Sequence, residues 1–122
     1  MLNLAVVMGR LVVTPELRHT PDGIPISTFS IAVDRDYKKE GKDRDTDFFD
    51  IVCWRGTAEY ACKWFKKGQL IVVKGSIQTH SYTDTNKEKR KVTEIVADDV
   101  YAAGYLKKSE QSDQEAPANT QQ

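Results

Sequence analysis

The sequence predicts an all-β domain, a small five-stranded barrel with one short helix between the third and fourth strands. Three observations support this prediction. Five segments are rich in Val, Ile, Phe or Thr and are bounded by clusters of Gly, Pro or Asp, which is the pattern of strands and turns. A segment between the third and fourth strands changes to the spacing of a helix. The 122 residues fit one domain with a single, modest core.

The predicted strands are short and are separated by turn-forming or charged segments. They cover residues 3–12, 26–34, 47–54, 69–77 and 92–101. The last strand is expected to end near Ala103. Residues 20–25, TPDGIP, predict a turn after the first strand. Residues 34–45 predict a charged loop between the second and third strands, and residues 83–90 predict a polar loop between the fourth and fifth.

The predicted helix lies in the segment TAEYACKWFKKG. Its apolar residues recur at helical spacing: Ala58, Ala61, Cys62 and Phe65. Thr57 is the expected N-cap, with Glu59 in the first turn. Lys66 and Lys67 are expected in the last turn, with Gly68 at the C′ position. Five strands with this helix match the layout of an OB-fold, a Greek-key barrel whose mouth the helix plugs.

The domain is predicted to span residues 1–106, and residues 107–122 are predicted to be a disordered polar tail. The tail, KKSEQSDQEAPANTQQ, has no large apolar residue, so burial cannot offset the entropy cost of ordering it. The chain has no apolar run approaching the ~18 residues of a membrane span and no secretory signal. We therefore expect a cytoplasmic protein without a membrane partner.

Charge and cysteine content narrow the classes of partner and site. The formal net charge is zero, with 18 basic and 18 acidic residues, so a polyanion would be held by local patches and non-ionic contacts. Cys53 and Cys62 are expected to be reduced thiols, although their spacing permits a disulfide. Together with His19 and His80 they could ligate zinc, but none lies in a C-x2-C or H-x3-H pair. No metal site and no cofactor are predicted.

The stretch DFFDIVCWRG places two aromatic residues on a strand face that should not be core. Side chains alternate along a strand, so Phe49, Ile51 and Cys53 predict the core side. Phe48 and Trp54 then lie on the other side, roughly 20 Å apart at ~3.3 Å per residue. Several nucleotides could fit between them.

Two further aromatics lie at comparable positions, Tyr37 just past the second strand and Tyr82 at the start of a hairpin. Basic residues are interleaved with the four aromatics: Arg35, Lys38, Lys39, Arg55, Lys87, Lys89 and Arg90. Rings spaced along a strand surface beside cations suit a single-stranded nucleic acid, because bases stack on the rings and phosphates meet the cations. The pattern predicts sequence-tolerant binding.

Two other classes of function stay open on the residues alone. The barrel could be a protein-interaction or assembly module whose aromatics are buried against another chain. Alternatively, Asp43, Asp45, Asp47 and Asp50 could surround a divalent ion in a nuclease. No companion catalytic motif accompanies these carboxylates, so no catalytic residue is predicted and the protein is not expected to be an enzyme.

The segments that carry a family resemblance are MLN with VVMGRL, PELRHTPDGIPISTFSIAVDR, DFFDIVCWR, AEYACKWFKKGQLIVVKGSIQT and VTEIVADDV. Over about residues 1–105 they resemble the bacterial single-stranded DNA-binding protein family. The resemblance implies an OB-fold protein, usually a homotetramer, that coats single-stranded DNA in replication, recombination and repair without catalysis. It also implies a nucleoid-associated protein of the cytoplasm. The family's base-stacking aromatics fall on Tyr37, Phe48, Trp54 and Tyr82.

Phosphate contacts are expected from four basic residues: Arg18, Arg35, Arg55 and Lys67. The family often has basic residues where this chain has Leu4 and His80, so phosphate affinity is expected to be weaker or, through His80, sensitive to pH. The family typically ends in an acidic tip closing with Pro-Phe, whereas this sequence ends PANTQQ. A truncated chain and a tailless paralogue both fit that ending, and recruitment of replication and repair proteins stays open.

The first strand predicts self-association. LNLAVVMGRL is apolar on both faces, which is more than a barrel strand with one solvated face requires. The excess predicts burial against a second subunit and therefore a homo-oligomer. The resemblance implies a tetramer.

Overall fold

The computed structural model describes residues 1–36, 41 and 45–104. Tyr37, Lys38, Lys39, Asp43 and the predicted tail lie outside the described residues. The elements are β1 (Ala5–Leu11), β2 (Arg18–His19), β3 (Pro25–Asp34), β4 (Thr46–Trp54), α1 (Arg55–Trp64), β5 (Leu70–Thr83) and β6 (Lys89–Ala102). The five predicted strands are confirmed as β1, β3, β4, β5 and β6, and the two-residue β2 was not predicted.

The strands close into a ring. Their order is β1-β5-β6-β4-β3-β2, and an additional pairing of β1 with β3 closes the sheet, while the short β2 extends the edge of β3. The β4–β6 pairing is parallel, whereas the other pairings are antiparallel. A closed Greek-key barrel with a helix between β4 and β5 is the OB-fold that the sequence predicts.

The core fills the inside of the barrel with branched apolar side chains. Its fully buried members include Ile31, Ile51, Cys53, Ile71 and Val73. Phe49, Ile51 and Cys53 of β4 face this core, as the period-2 pattern predicts, although Phe49 is only partly buried. Cys53 and Cys62 are free thiols, so the disulfide that their spacing permitted is not formed. Burial raises the pKa of the Cys53 thiol to about 12.

The start of the helix differs from the prediction. α1 begins at Arg55, directly after β4, and its N-cap is Trp54 in extended conformation, with no side-chain cap hydrogen bond. Thr57 is therefore inside the helix, where its hydroxyl donates a 3.4 Å hydrogen bond to the carbonyl of Asp98 on β6. Glu59 lies beyond the first turn. The strand pairing of Trp54, which no local pattern shows, sets where the helix starts.

The end of the helix also differs. Phe65 is buried in the core and has an extended backbone, so the helix ends at Trp64, the residue before it. Lys66 and Lys67 follow the helix rather than occupy its last turn. Gly68 has a φ of 88° in the turn that follows, and its N–H donates a 2.8 Å hydrogen bond to the carbonyl of Leu11 on β1. The predicted C′ glycine thus belongs to the connection that brings β5 beside β1.

The β5–β6 hairpin is longer than predicted. Each strand has 14 residues, and their pairing continues to Thr83 opposite Lys89, so the predicted loop shortens to residues 84–88. The carboxylate of Asp84 organises this turn by accepting 2.9 Å hydrogen bonds from the N–H groups of Asn86 and Glu88. Among the described residues, no helix is long and apolar enough to cross a membrane.

Candidate nucleic-acid interface

The outer face of β3 and β4 carries the predicted aromatics. The two strands pair without a shift from Ile26 opposite Trp54 to Asp34 opposite Thr46, so even-numbered residues of both strands point outward. Phe48 is 66% exposed and Trp54 is 39% exposed. The predicted outward orientation of these two rings is confirmed. Val52, between them in the sequence, is buried.

A groove runs over this face. It has a volume of about 400 Å³ and is lined by Val12, Val13, Thr28, Phe29, Ser30, Asp50, Ile51 and Glu94. The parallel pairing of Ile51 with Ile95 sets Asp50 beside Glu94 in the lining of the groove. The Ser30 hydroxyl donates a 2.8 Å hydrogen bond to Asp50, and His80 Nε2 lies 3.2 Å from Glu94 Oε1. Two carboxylates repel a phosphate, so this part of the groove favours a base over the backbone of a nucleic acid.

The β5–β6 hairpin extends the same face. Gln78 pairs with Glu94 and Tyr82 pairs with Arg90, without a register shift between them. Paired residues point to one side of a sheet, so Tyr82 lies on the side that Glu94 occupies. Tyr82 is 51% exposed. The structure thus places three of the four predicted aromatics on one continuous face, and the fourth, Tyr37, lies outside the described residues.

The predicted cations differ in their surroundings. Arg35 donates two 3.0 Å hydrogen bonds to the carboxylate of Asp47, one from Nε and one from Nη2. This contact raises the pKa of Arg35 and lowers the pKa of Asp47, mainly through the hydrogen bonds themselves. Arg18, Arg55 and Lys67 are exposed, and their side chains form no ion pair within the described part of the chain.

Arg18 and Arg10 stand beside the aromatic rings. Arg18 pairs with Ile26, which pairs on its other side with Trp54. Arg10 pairs in the same way with Ala32, which pairs with Phe48. Arg10 was not predicted from the sequence, because the β1–β3 pairing that closes the barrel brings it to this face. Arg10 forms a 3.0 Å ion pair with Asp34.

The acidic residues of the predicted cluster that the structure describes do not converge on one point. Asp47 is held by Arg35 and Asp50 by Ser30, while Asp43 lies outside the described residues. Within residues 1–36, 41 and 45–104, no three His, Cys, Asp or Glu side chains are grouped as metal ligands. The nuclease alternative therefore gains no support from the geometry.

Two further surfaces carry exposed apolar residues. The outward side of the N-terminal segment and β1 exposes Leu2, Leu4, Val6 and Met8. Helix α1 exposes Tyr60 and Trp64, which the sequence reasoning did not single out. The sequence could have indicated this pair, because Tyr60 and Trp64 are four residues apart and therefore neighbours on a helix. They lie outside the stripe of apolar residues that predicts the helix.

A closed OB barrel with exposed rings and cations along one outer face defines a nucleic-acid-binding module of the single-strand type. The sequence model of the single-strand binding protein family matches residues 2–103, and the chain belongs to that family. It is 46% identical over 100 residues to the single-stranded DNA-binding protein of Caldanaerobacter subterraneus subsp. tengcongensis, covering 82% of this chain and 67% of that protein.

Two relatives from other bacteria give similar values. The single-stranded DNA-binding protein of Streptococcus pneumoniae is 43% identical over 98 residues, which are 80% of this chain and 63% of the relative. Single-stranded DNA-binding protein 1 of Lactococcus lactis is 46% identical over 98 residues, which are 80% of this chain and 65% of the relative. The chain therefore spans about two-thirds of the length of these curated relatives. The similarity covers the barrel.

Proposed function

We propose that this protein binds single-stranded DNA without sequence preference and without catalysis or a cofactor. The observation that carries the proposal is the continuous outer face on which Phe48, Trp54 and Tyr82 expose their rings. Tyr37 is proposed as the fourth stacking residue. Stacking tolerates any base because every base has a π-face, and each stacked base contributes ~1–3 kcal/mol. The relatives are named single-stranded DNA-binding proteins, which supports the same ligand.

Charge separates the groove, which suits bases, from cations outside it, which suit phosphates. The carboxylates of Asp50 and Glu94 line the groove, where they disfavour phosphate, whereas Arg18, Arg55 and Lys67 are exposed cations without an ion pair among the described residues. Arg35 is proposed to contribute less, because Asp47 already neutralises its charge. The strand would therefore bind with bases inward and phosphates toward the rim.

The proposed biological role is to coat and protect single-stranded DNA in replication, recombination and repair, in the cytoplasm at the nucleoid. Residues 1–106 form the proposed DNA-binding domain. We also propose a homo-oligomer, with a tetramer as the expected state. The exposed apolar side of β1 supports this, since Leu4, Val6 and Met8 alternate with partly buried or buried residues and leave a row of apolar side chains in solvent.

The test is binding of oligo(dT) by the wild type and by Trp54→Ala, with a duplex of the same length as a competitor. Trp54→Ala should weaken binding about 5-fold to 100-fold, Trp54→Phe should retain most of the affinity, and the duplex should compete poorly because its bases are already stacked. Unchanged affinity in Trp54→Ala would refute the stacking role. If the same variant instead changed the oligomeric mass, the alternative of an assembly module would be favoured.

A further inference from the structure

Helix α1 carries a second aromatic surface. Ala58 and Ala61 are fully buried against the barrel, whereas Tyr60 is 44% exposed and Trp64 is 58% exposed. Residues four apart on a helix lie next to each other, one turn apart. The two rings therefore form one exposed patch outside the buried stripe of the helix, and no described residue covers it.

Contacts within the chain hold both rings of the patch. The Tyr60 ring packs edge to face against Phe65, with centroids 5.7 Å apart and an interplanar angle of 87°. Because Phe65 is buried in the core, this contact holds Tyr60 in place. Lys63 Nζ lies 5.2 Å from the centroid of the Trp64 ring, within the range of a cation–π interaction. Rings held in this way lose less rotamer freedom when a base stacks on them.

The charge of the helix and the residues that follow it favours an anionic partner. The segment 55–67 contains four cations, Arg55, Lys63, Lys66 and Lys67, and the single carboxylate of Glu59. None of these four cations forms an ion pair within residues 1–36, 41 and 45–104. An apolar protein surface would leave these charges unpaired. A nucleic-acid strand suits both features, because its bases can stack on the rings and its phosphates can contact the cations.

We propose that Tyr60 and Trp64 form a second base-stacking platform for the same DNA strand, and this inference rests on the proposed function. The geometry supports a continuous path, because Trp54 is the N-cap of α1. At a rise of ~1.5 Å per residue, Tyr60 lies about 9 Å and Trp64 about 15 Å along the helix axis from Trp54. A strand that leaves Trp54 reaches this platform within a few nucleotides.

The chain offers a direct test, because Trp54 and Trp64 are its two tryptophans. Trp54→Phe leaves Trp64 as the reporter, and Trp64→Phe leaves Trp54. Titration with long oligo(dT) should quench the tryptophan emission of both variants, and a short oligo(dT) that covers only the outer face of β3 and β4 should quench Trp54 alone. Quenching of Trp54 without quenching of Trp64 would overturn the platform while the proposed function stands. If neither tryptophan were quenched, both the platform and the proposed function would be contradicted.

Affinity provides an independent readout. Trp64→Ala should weaken binding of the long oligonucleotide about fivefold or more while leaving the short one nearly unchanged, and Trp64→Phe should restore the loss. Glu59→Ala, on the same helix but outside the patch, should show no loss. Equal affinities of Trp64→Ala and wild type for the long oligonucleotide would refute the platform. So would shielding of Trp64 from iodide in the free protein, because another copy or another segment would then cover the patch.

Discussion

Arg18 and Trp54 stand on either side of one residue, Ile26, with which both are paired. They are on β2 and β4, so two strand spacings of ~4.8 Å put their backbones roughly 10 Å apart. All three residues point to the same side of the sheet. A base stacked on Trp54 would thus have a guanidinium nearby for its phosphate. The contributions of stacking and of charge to DNA binding can therefore be separated by mutation.

The first prediction separates charge from stacking at this pair. For single strands, log K falls with log salt at a slope near −0.7 per neutralised phosphate. Arg18→Ala should therefore flatten the slope for oligo(dT) by up to ~0.7, whereas Trp54→Ala should cost ~1–3 kcal/mol and leave the slope nearly intact. Lys91→Ala is the control, since Lys91 pairs with Ser81 on the opposite face of the hairpin. Identical slopes for wild type and Arg18→Ala would exclude a phosphate contact there.

The second prediction concerns the other arginine beside an aromatic ring. Arg10 lies next to Phe48 across Ala32, but its guanidinium is held 3.0 Å from Asp34. Asp34→Asn should release this charge toward the DNA, raise the affinity for oligo(dT) at low salt and steepen the salt slope by up to ~0.7. A salt titration of Asp34→Asn measures this. In the double variant with Arg10→Ala, the gain should vanish; persistence of the gain would mean that it has another source.

The third prediction concerns acid stability at the hairpin turn. The pKa of the Asp84 carboxyl is lowered, first by the Glu88 backbone hydrogen bond and then by Arg90, which donates to it at 2.8 Å. A depressed folded-state pKa means that its stabilisation is present at neutral pH and is lost as pH falls through the folded value. The Tm difference between wild type and Asp84→Asn should shrink from pH 7 toward pH 2.5. Asp98→Asn serves as the control, and a constant difference for Asp84→Asn would contradict the assignment.

The fourth prediction concerns charge and DNA affinity at His80. Its imidazole lies 3.2 Å from Glu94 at the groove. His80→Arg places a permanent cation at this position. The variant should therefore raise the affinity for oligo(dT) at low salt and steepen the salt slope by up to ~0.7.

The two histidines of the chain supply the comparison for this prediction. His19→Arg adds the same charge on β2, opposite Pro25. Because side chains alternate along a strand, His19 points away from the side that carries Arg18, so this variant should change the affinity and the salt slope less. A His80→Arg variant with the wild-type affinity and slope would mean that no phosphate lies near this position.

The barrel was predictable from the sequence because the patterns that specify its strands and its helix are local. Period-2 alternation, turn residues and one helical stripe appear within windows of about ten residues. The outer half of the β5–β6 hairpin was not predictable, because residues 78–83 are exposed on both faces and show no burial pattern. Its extended structure comes from pairing with residues 89–94, and the turn is stabilised by hydrogen bonds to Asp84.

The interface residues also differ in whether the sequence could predict them. The rings of Phe48 and Trp54 follow from alternation along one strand, so the sequence predicts their orientation. The positions of Arg10 and Arg18 beside those rings depend on the β1–β3 and β2–β3 pairings, which join segments far apart in the chain. No spacing within the sequence shows such neighbours. The ion pair between Arg35 and Asp47, which lowers the expected contribution of Arg35, also became visible only in the folded chain.

The last prediction concerns assembly through β1. Val6 and Met8 point outward from the barrel and are more than half exposed, while Val7 between them packs against the core. A row of apolar side chains in water favours association with a second copy, and a charge placed in such an interface would be buried without a partner. Val6→Glu should therefore lower the oligomeric mass in light scattering at micromolar concentration and leave the barrel folded by circular dichroism. Leu17→Glu, which charges an exposed leucine in the loop before β2, should leave the mass unchanged. A wild type that is monomeric at this concentration, or a Val6→Glu variant with the wild-type mass, would show that β1 does not form the subunit interface.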